Sequence, residues 1–226
     1  MKISAIIPAA GKGERFGGKK QLKNLDGHPL LYHTLRPFVR SKLINEIVVV
    51  VTEADLKKVQ RKLKSSISSK LVKVVAGGDT RQASVHKGLA VADELSDFIC
   101  VHDAVRPFVS KELIEYTVDA CKHHDGVIVA QPSTDTIKRV IDDQILETIP
   151  RETVWRAQTP QVFLKSALQE ALELAVAENI QGTDEASLLE RIGYQIGFVE
   201  GSSLNIKITT EEDWFFAQSI YKQLND

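Results

Sequence analysis

The sequence predicts an α/β fold: a mostly parallel, twisted sheet flanked by helices, with a β-hairpin projecting from it. Three observations predict it. Apolar runs of strand length alternate with helical patterns through residues 3–130. Residues 44–51 end in the unbroken run Val48-Val49-Val50-Val51, the pattern of a strand buried on both faces. Residues 133–160 break the rhythm with polar–apolar alternation on either side of Asp142-Asp143, the pattern of a hairpin. Strand and helix in alternation imply right-handed crossovers, and so parallel strands with helices on both faces.

The elements follow in order. A strand at 3–7 runs into a glycine-rich loop. Pro29 sits where a helix opens, because its fixed φ suits a first turn. Strands are expected at 44–51, 71–75, 98–101 and 126–130. Between them lie helices at 54–63, amphipathic and charged, at 80–95 and at 111–123. The hairpin pairs 136–141 with 145–149. Helices resume at 165–178 and 184–191, a strand pair is expected at 196–199 and 204–208, and a final helix starts near Glu211.

The chain has 226 residues, 43% hydrophobic and 26% charged, enough for one large core, so residues 1–226 are read as a single domain. A net charge of −1 and a pI near 6.6 give no global basic field, which argues against a nucleic-acid partner. Cys100 and Cys121 are too far apart for a CxxC motif, and Cys100 reads as a buried reduced thiol. No apolar stretch approaches the roughly 18 residues of a membrane span, and the N-terminus enters a strand without a signal-like segment. The expectation is a cytoplasmic protein with no membrane partner.

Positive charge is concentrated where the backbone is barest. Residues 1–23 carry six cations (Lys2, Lys12, Arg15, Lys19, Lys20, Lys23) against Glu14 alone, a net +5. They surround Pro8-Ala9-Ala10-Gly11-Lys12-Gly13, where small residues let main-chain N–H groups approach a ligand. Ligands of parallel sheets bind at the carboxyl ends of strands, so this loop is read as a nucleoside triphosphate cradle. Two common phosphate motifs fail here. A dinucleotide fingerprint would need glycine where Phe16 stands. A P-loop would need a magnesium-binding hydroxyl where Lys20 stands.

Other chemical segments recur at strand ends. Gly77-Gly78-Asp79-Thr80 permits close approach. Asp79 can accept from an exocyclic amine or cap the next helix, and Ser84 can reach a base carbonyl. His102-Asp103-Ala104-Val105-Arg106 places Asp103 where it can hold Mg²⁺ among phosphates, with Arg106 able to pair with it. His102 reads as a strand-end hydrogen-bonding residue rather than a base. Residues 151–161 combine Arg151 and Arg156 with Trp155 and Thr159-Pro160, either a second phosphate pocket or a hairpin stem packed by Trp155. Thr183 can cap the helix that follows it, and the acids after it suit that helix's positive end. Lys207, inward in an apolar stretch, needs an anion: a phosphate or Asp103. His123-His124 point in different directions on a helix and read as a solvated end.

Taken together and in order, the 9–15 loop, 77–84, 102–107, 155–161, 183–190 and 205–210 resemble the 2-C-methyl-D-erythritol 4-phosphate cytidylyltransferase family of the non-mevalonate isoprenoid route. That resemblance implies a Rossmann-like nucleotidyltransferase fold and a homodimer, with a dimerisation β-arm at about 133–160. It implies Mg²⁺ at Asp103, and attack by the phosphate of methylerythritol phosphate on the α-phosphorus of CTP. It implies CTP-binding roles for Ala9, Ala10, Gly11, Gly13, Gly78, Asp79, Ser84, Asp103 and Ala104. Arg15 and Lys20 would stabilise the transition state. Thr136, Arg151 and Thr159, from the partner's arm, would hold the acceptor together with Lys207 of the home subunit.

The family usually has Pro-Lys-Gln where this chain has Lys19-Lys20-Gln21; Lys20 takes the catalytic role because it directly precedes Gln21. The ribitol 5-phosphate cytidylyltransferases share much of the pattern, but Pro8-Ala9-Ala10, Trp155-Arg156-Ala157 and residues 183–187 look more like the methylerythritol enzyme. A nucleotide-binding regulatory protein would keep the glycine loop without the acceptor-site cations, which are present here.

Overall fold

A computed structural model describes residues 1–66 and 71–225. β1 (Ile3–Pro8) leads through the glycine loop to a short ladder of β2 (Asn24–Leu25) and β3 (His28–Pro29), then α1 (Leu30–Arg40). There follow β4 (Glu46–Val51), α2 (Leu56–Ser66), β5 (Leu71–Ala76), α3 (Arg81–Val91), β6 (Phe98–Val101), α4 (Lys111–Ala120) and β7 (Gly126–Pro132). The hairpin is β8 (Ile137–Ile141) and β9 (Gln144–Ile149). The chain closes with β10 (Trp155–Leu164), α5 (Lys165–Ala177), α6 (Glu185–Arg191), β11 (Ile196–Glu200) and α7 (Glu211–Asn225).

Among the described residues the main sheet has seven strands in the order β11-β7-β10-β6-β1-β4-β5. Its strands pair in parallel except β10, which runs antiparallel to both β6 and β7. Alternation along each strand sorts side chains between two cores. Ile3, Ala5, Ile7, Ile47, Val49 and Val51 face the layer that holds Leu31, Leu35 and Phe38 of α1. Ile6, Val48 and Val50 face the opposite layer, with Leu168 and Leu172 of α5. A strand with both faces covered needs apolar side chains at every position, which is why 48–51 reads as one run. Full burial of each such side chain is worth about 1.5–3 kcal/mol. A third cluster joins Phe16 of the glycine loop to Trp214 and Ala217 of α7.

The hairpin forms its own ladder, apart from the main sheet. Asp142 and Asp143 both take positive φ, 51° and 60°, the left-handed pair a tight two-residue turn demands. Val140, Ile141, Ile145 and Leu146 are all more than half exposed on it.

Several boundaries differ from the sequence expectation. Residues 204–208 form no strand. Ile208 is buried as the alternation suggests, but its N–H bonds Val105 O at 3.0 Å and Asn205 O takes Arg106 Nη1 at 2.7 Å, so loop and side-chain partners replace a ladder. α6 is capped by Asp184, not Thr183: Ser187 N donates to Asp184 Oδ1 at 3.0 Å in a capping box. α3 stops at Val91, and Asp93 takes Leu95 N–H on its side chain at 2.9 Å, a local bond that competes with helix. Cys100 and Cys121 are buried free thiols; burial pushes the Cys121 thiol up to about 12 and Cys100 higher, so neither is a ready nucleophile.

Candidate active site

From β1 the chain winds to β4 and β5 on one side, then crosses to β6 on the other. The loops leaving β1, β5 and β6 therefore meet at one carboxyl edge, around the point where strand order reverses. Thr159, on antiparallel β10 just before its pairing with β6 begins, reaches the same edge.

The glycine loop is shaped from within. Ala9 N–H continues the sheet to Val50 O at 2.6 Å. Gln21 Nε2 donates to Ala9 O and Gly11 O, both at 2.9 Å, which ties the loop to the turn that follows it. Gly13 takes φ +75°, and its carbonyl accepts from Phe16 N and Gly18 N at 2.9 and 3.1 Å. A Cβ at Gly13 would collide with the Gly18 carbonyl, so no other residue closes this turn. At the facing loop a Cβ on Gly77 would lie 2.8 Å from the Cβ of Ala10, which is why both positions are small.

Asp103 is the anionic centre of the site. It is 6% exposed, with Arg81 Nε 3.1 Å from Oδ1, and Lys207 Nζ 2.9 Å and Arg106 Nε 3.5 Å from Oδ2. Burial works against its charge, but the Arg81, Lys207 and Arg106 cations outweigh it and hold the carboxyl far below the usual carboxylate range. Arg81 also donates through Nη1 to both oxygens of Glu185, at 2.8 and 2.7 Å. Burial alone would favour a neutral guanidine; the charges of Glu185 and Asp103 keep Arg81 protonated.

His102 lies directly beneath. Its Nε2–H donates to Arg106 O at 3.0 Å, which leaves Nδ1 to accept from Thr159 Oγ1 at 3.0 Å. Burial drops the imidazole to about 4, so it is neutral and both nitrogens are engaged. A general-base role has no free atom to work with.

Lys20 joins this edge. Its Nζ donates to Thr209 O at 3.2 Å. Its pKa is lowered by burial and by the Arg15 and Lys207 charges, with Asp213 opposing. Arg15, Lys20 and Lys207 thus form one cationic rim beside the glycine loop. Arg15 is exposed there, across a groove from Thr210 and Glu211.

The remaining candidates divide clearly. Ala9, Ala10, Gly11, Gly78 and Ala104 line the strand-end loops, and Ala104 O accepts from Thr34 Oγ1 at 2.9 Å. Asp79 is exposed, and the helix cap comes instead from Thr80, whose hydroxyl accepts from Ala83 N at 3.0 Å. Ser84 Oγ is buried against the loop, taking Gly78 N–H at 3.2 Å, so here it shapes the cradle rather than facing it. Thr159 is 4% exposed and its hydroxyl also accepts from Asp103 N at 3.1 Å, a bond that orients Asp103. Thr136 and Arg151 stand exposed at the foot of the hairpin, and Arg151's ion pair is with its neighbour Glu152 at 4.0 Å. Within one chain they do not join the rim.

Sequence reasoning missed Arg81 and Glu185 as a pair, Gln21 as the loop's tether, and Asn205, whose Nδ2 holds Thr159 O at 2.9 Å. Arg81 and Glu185 lie 104 residues apart, so nothing local announces their contact.

Comparison with known proteins bears on this edge directly. A model of the 2-C-methyl-D-erythritol 4-phosphate cytidylyltransferase (IspD) family matches residues 3–223. The chain is 41% identical over its whole length to the protein of that name from Geotalea uraniireducens, covering 99% of it. Over 97% of each chain it is 40% identical to that from Halalkalibacterium halodurans. A crystal structure of 4-diphosphocytidyl-2C-methyl-D-erythritol synthase from Anaerococcus prevotii superposes with a TM-score of 0.88 at 35% identity, covering 98% of both chains. The glycine loop, the Asp103 cluster and the α7 start all fall inside the matched span, and this chain belongs to the 2-C-methyl-D-erythritol 4-phosphate cytidylyltransferase family.

Proposed function

We propose that this nucleotidyltransferase joins CTP to 2-C-methyl-D-erythritol 4-phosphate in isoprenoid biosynthesis, giving 4-diphosphocytidyl-2-C-methyl-D-erythritol and pyrophosphate. The observation that carries the reading is the cationic rim of Arg15, Lys20 and Lys207 beside a bare glycine loop, with Lys207 also paired to Asp103. The acceptor's phosphate oxygen attacks the α-phosphorus of CTP. A new P–O bond forms, the bond to the bridging oxygen breaks, and its electrons leave with pyrophosphate. The nucleophile is already anionic, so no base is required, in keeping with a neutral, fully engaged His102. What remains for the protein is positioning and stabilisation of charge, the work of fixed cations.

In this reading Ala9, Ala10, Gly11 and Gly13 cradle the triphosphate. Gly78, Asp79 and Ser84 frame the cytosine, and Asp103 and Ala104 meet the nucleotide. Arg15 and Lys20 stabilise the developing charge, and Lys207 holds the acceptor's phosphate.

Mg²⁺ would bind at Asp103 only by sharing or displacing cations already there: Arg81 holds Oδ1, and Lys207 and Arg106 hold Oδ2. Among the described residues no three His, Cys, Asp or Glu side chains converge, so Asp103 is the one protein carboxylate assigned to the ion. Triphosphate oxygens and water must supply the rest, a common arrangement for this ion. When bound, the ion offsets charge on the phosphates.

The exposed apolar hairpin supports a homodimer in which each arm reaches its neighbour's site. Thr136 and Arg151, exposed at the foot of the hairpin, then contact the acceptor from the partner, whereas Thr159, buried against Asp103 and His102 of its own chain, acts in the home site. Among the described residues no helix is long and apolar enough to cross a membrane, and the cytoplasm is the compartment we propose.

The test is pyrophosphate release from CTP with each of two acceptors, methylerythritol phosphate and ribitol 5-phosphate. Preference for the first is expected. Preference for ribitol phosphate overturns the acceptor assignment, and CTP binding without turnover on either makes the chain a regulator.

A further inference from the structure

We propose that Trp214 is a positioning residue for the nucleotide loop: it clamps Phe16, and so holds the turn bearing Arg15 and Lys20 against the start of α7. The proposal rests on the glycine loop being the CTP site.

Phe16 is the one large apolar side chain in residues 9–18. Glycines on either side, Gly13 and Gly17, take positive φ, so the turn that carries it has freedom at both ends and needs an anchor. That anchor is α7. The rings of Phe16 and Trp214 meet edge to face, with centroids 5.9 Å apart and planes at 66°. Lys23 Nζ caps both, 4.5 Å from the Trp214 ring centre and 5.0 Å from that of Phe16. Both rings are buried, among Leu25, Leu30, Ile208 and Ala217.

The same helix start holds the far side of the loop. Asp213 Oδ2 accepts from Thr209 N, Thr209 Oγ1 and Thr210 N at 2.7, 2.6 and 2.8 Å. Thr209, fixed in this way, offers its carbonyl to Lys20 Nζ at 3.2 Å. Phe16 lies next to Arg15 in sequence, and Lys20 Nζ is 5.7 Å from the Phe16 ring centre. One turn of α7 thus sets where both rim cations stand. A tryptophan that merely fills space would affect stability alone. A tryptophan that positions the loop must also affect how CTP is held, and must do so through Phe16.

Steady-state kinetics on the full-length protein separate these cases. Trp214→Ala is expected to lower kcat/KM for CTP about tenfold, through a lower kcat as well as a higher KM, since it displaces the cations that stabilise the transition state and a shift of about an ångström costs that much or more. KM for the polyol phosphate should stay within about twofold, and Trp214→Phe, which keeps an edge-to-face ring, should restore most of the loss. In a Phe16→Ala background the same Trp214 change should add little, because the two act through one contact. If Trp214→Ala does not fold by circular dichroism, Trp214→Leu fills the space without a ring and carries the same expectation. Folded variants with wild-type kcat/KM for CTP, or effects that simply add in the double variant, overturn the proposal. If the unaltered protein binds no CTP by calorimetry, the nucleotide-loop reading fails first and takes this proposal with it.

Discussion

Lys19 Nζ lies 2.6 Å from Asp55 Oδ2. The same oxygen accepts from Thr52 Oγ1 at 2.7 Å. Burial of Asp55 opposes its charge, but these bonds from Lys19 and Thr52 hold its carboxyl below the usual range. The first lysine of the pair is therefore tied to the turn that precedes α2, while the second joins the rim with Arg15 and Lys207. Lys20→Ala should lower kcat by two orders of magnitude or more, about 3 kcal/mol, as for other preorganised donors. Lys19→Ala should leave kcat within about threefold and cost at most about 1 kcal/mol of stability, as a partly exposed pair. Pyrophosphate-release kinetics and urea unfolding decide between them; the reverse ranking overturns the assignment.

Glu185 is 1% exposed and bonded twice to Arg81, which also reaches Asp103. Glu185→Gln should destabilise the fold by about 1–2 kcal/mol, because a partly exposed guanidinium loses one of its two carboxylates but keeps Asp103. It should also reduce turnover, as Arg81 then leans wholly on Asp103. A chemical unfolding midpoint equal to the wild type's would refute this.

His102 gives stability a defined pH dependence. Its folded pKa, about 4, is below the ordinary value of 6.5. Between those values the unfolded chain binds more protons, so this contribution is complete above about pH 6.5 and is lost as pH falls towards 4. The wild-type thermal midpoint should drop across that window more steeply than that of His102→Gln. Parallel slopes would show that His102 is not the group responsible.

Gly13→Ala should weaken CTP binding tenfold or more. The left-handed φ alone costs a residue with a Cβ roughly 1–2 kcal/mol, and the collision with Gly18 must be relieved by moving the loop. Because the loop lies outside the sheet, the thermal midpoint should change by only a few degrees. Calorimetric titration with CTP measures the first effect and scanning calorimetry the second.

The proposed exchange of arms predicts complementation. Arg151→Ala and Lys207→Ala should each be nearly inactive alone. Dissociated, mixed and reassociated, they should recover about a quarter of wild-type activity, from the one intact site in each mixed dimer. No recovery would place Arg151 in its own subunit's site.

The alternation of strands and helices, the double-sided burial of β4 and the Asp142-Asp143 turn were legible in the sequence because each is a local pattern. Periodicity and turn chemistry act over a few residues. The glycine loop and its surplus of cations were legible for the same reason. Strand 204–208 was misread because alternation records which side chains are buried and not what the backbone bonds to: Ile208 is buried, yet its N–H goes to Val105 O. The neighbours of Asp103 were legible only in part: the residues offered Arg106 and Lys207 as its partners, and both pair with it, but nothing local pointed to Arg81. Arg106 stands in the same loop as Asp103, but Arg81 and Lys207 come from remote segments, and only the placing of β6 beside β1, with β10 turned antiparallel against it, brings those loops to one edge. Residue order alone determined which groups were available to bind phosphate. Tertiary structure decided which of them share a carboxylate, because ion pairs depend on distance through space, and distance along the chain does not encode it.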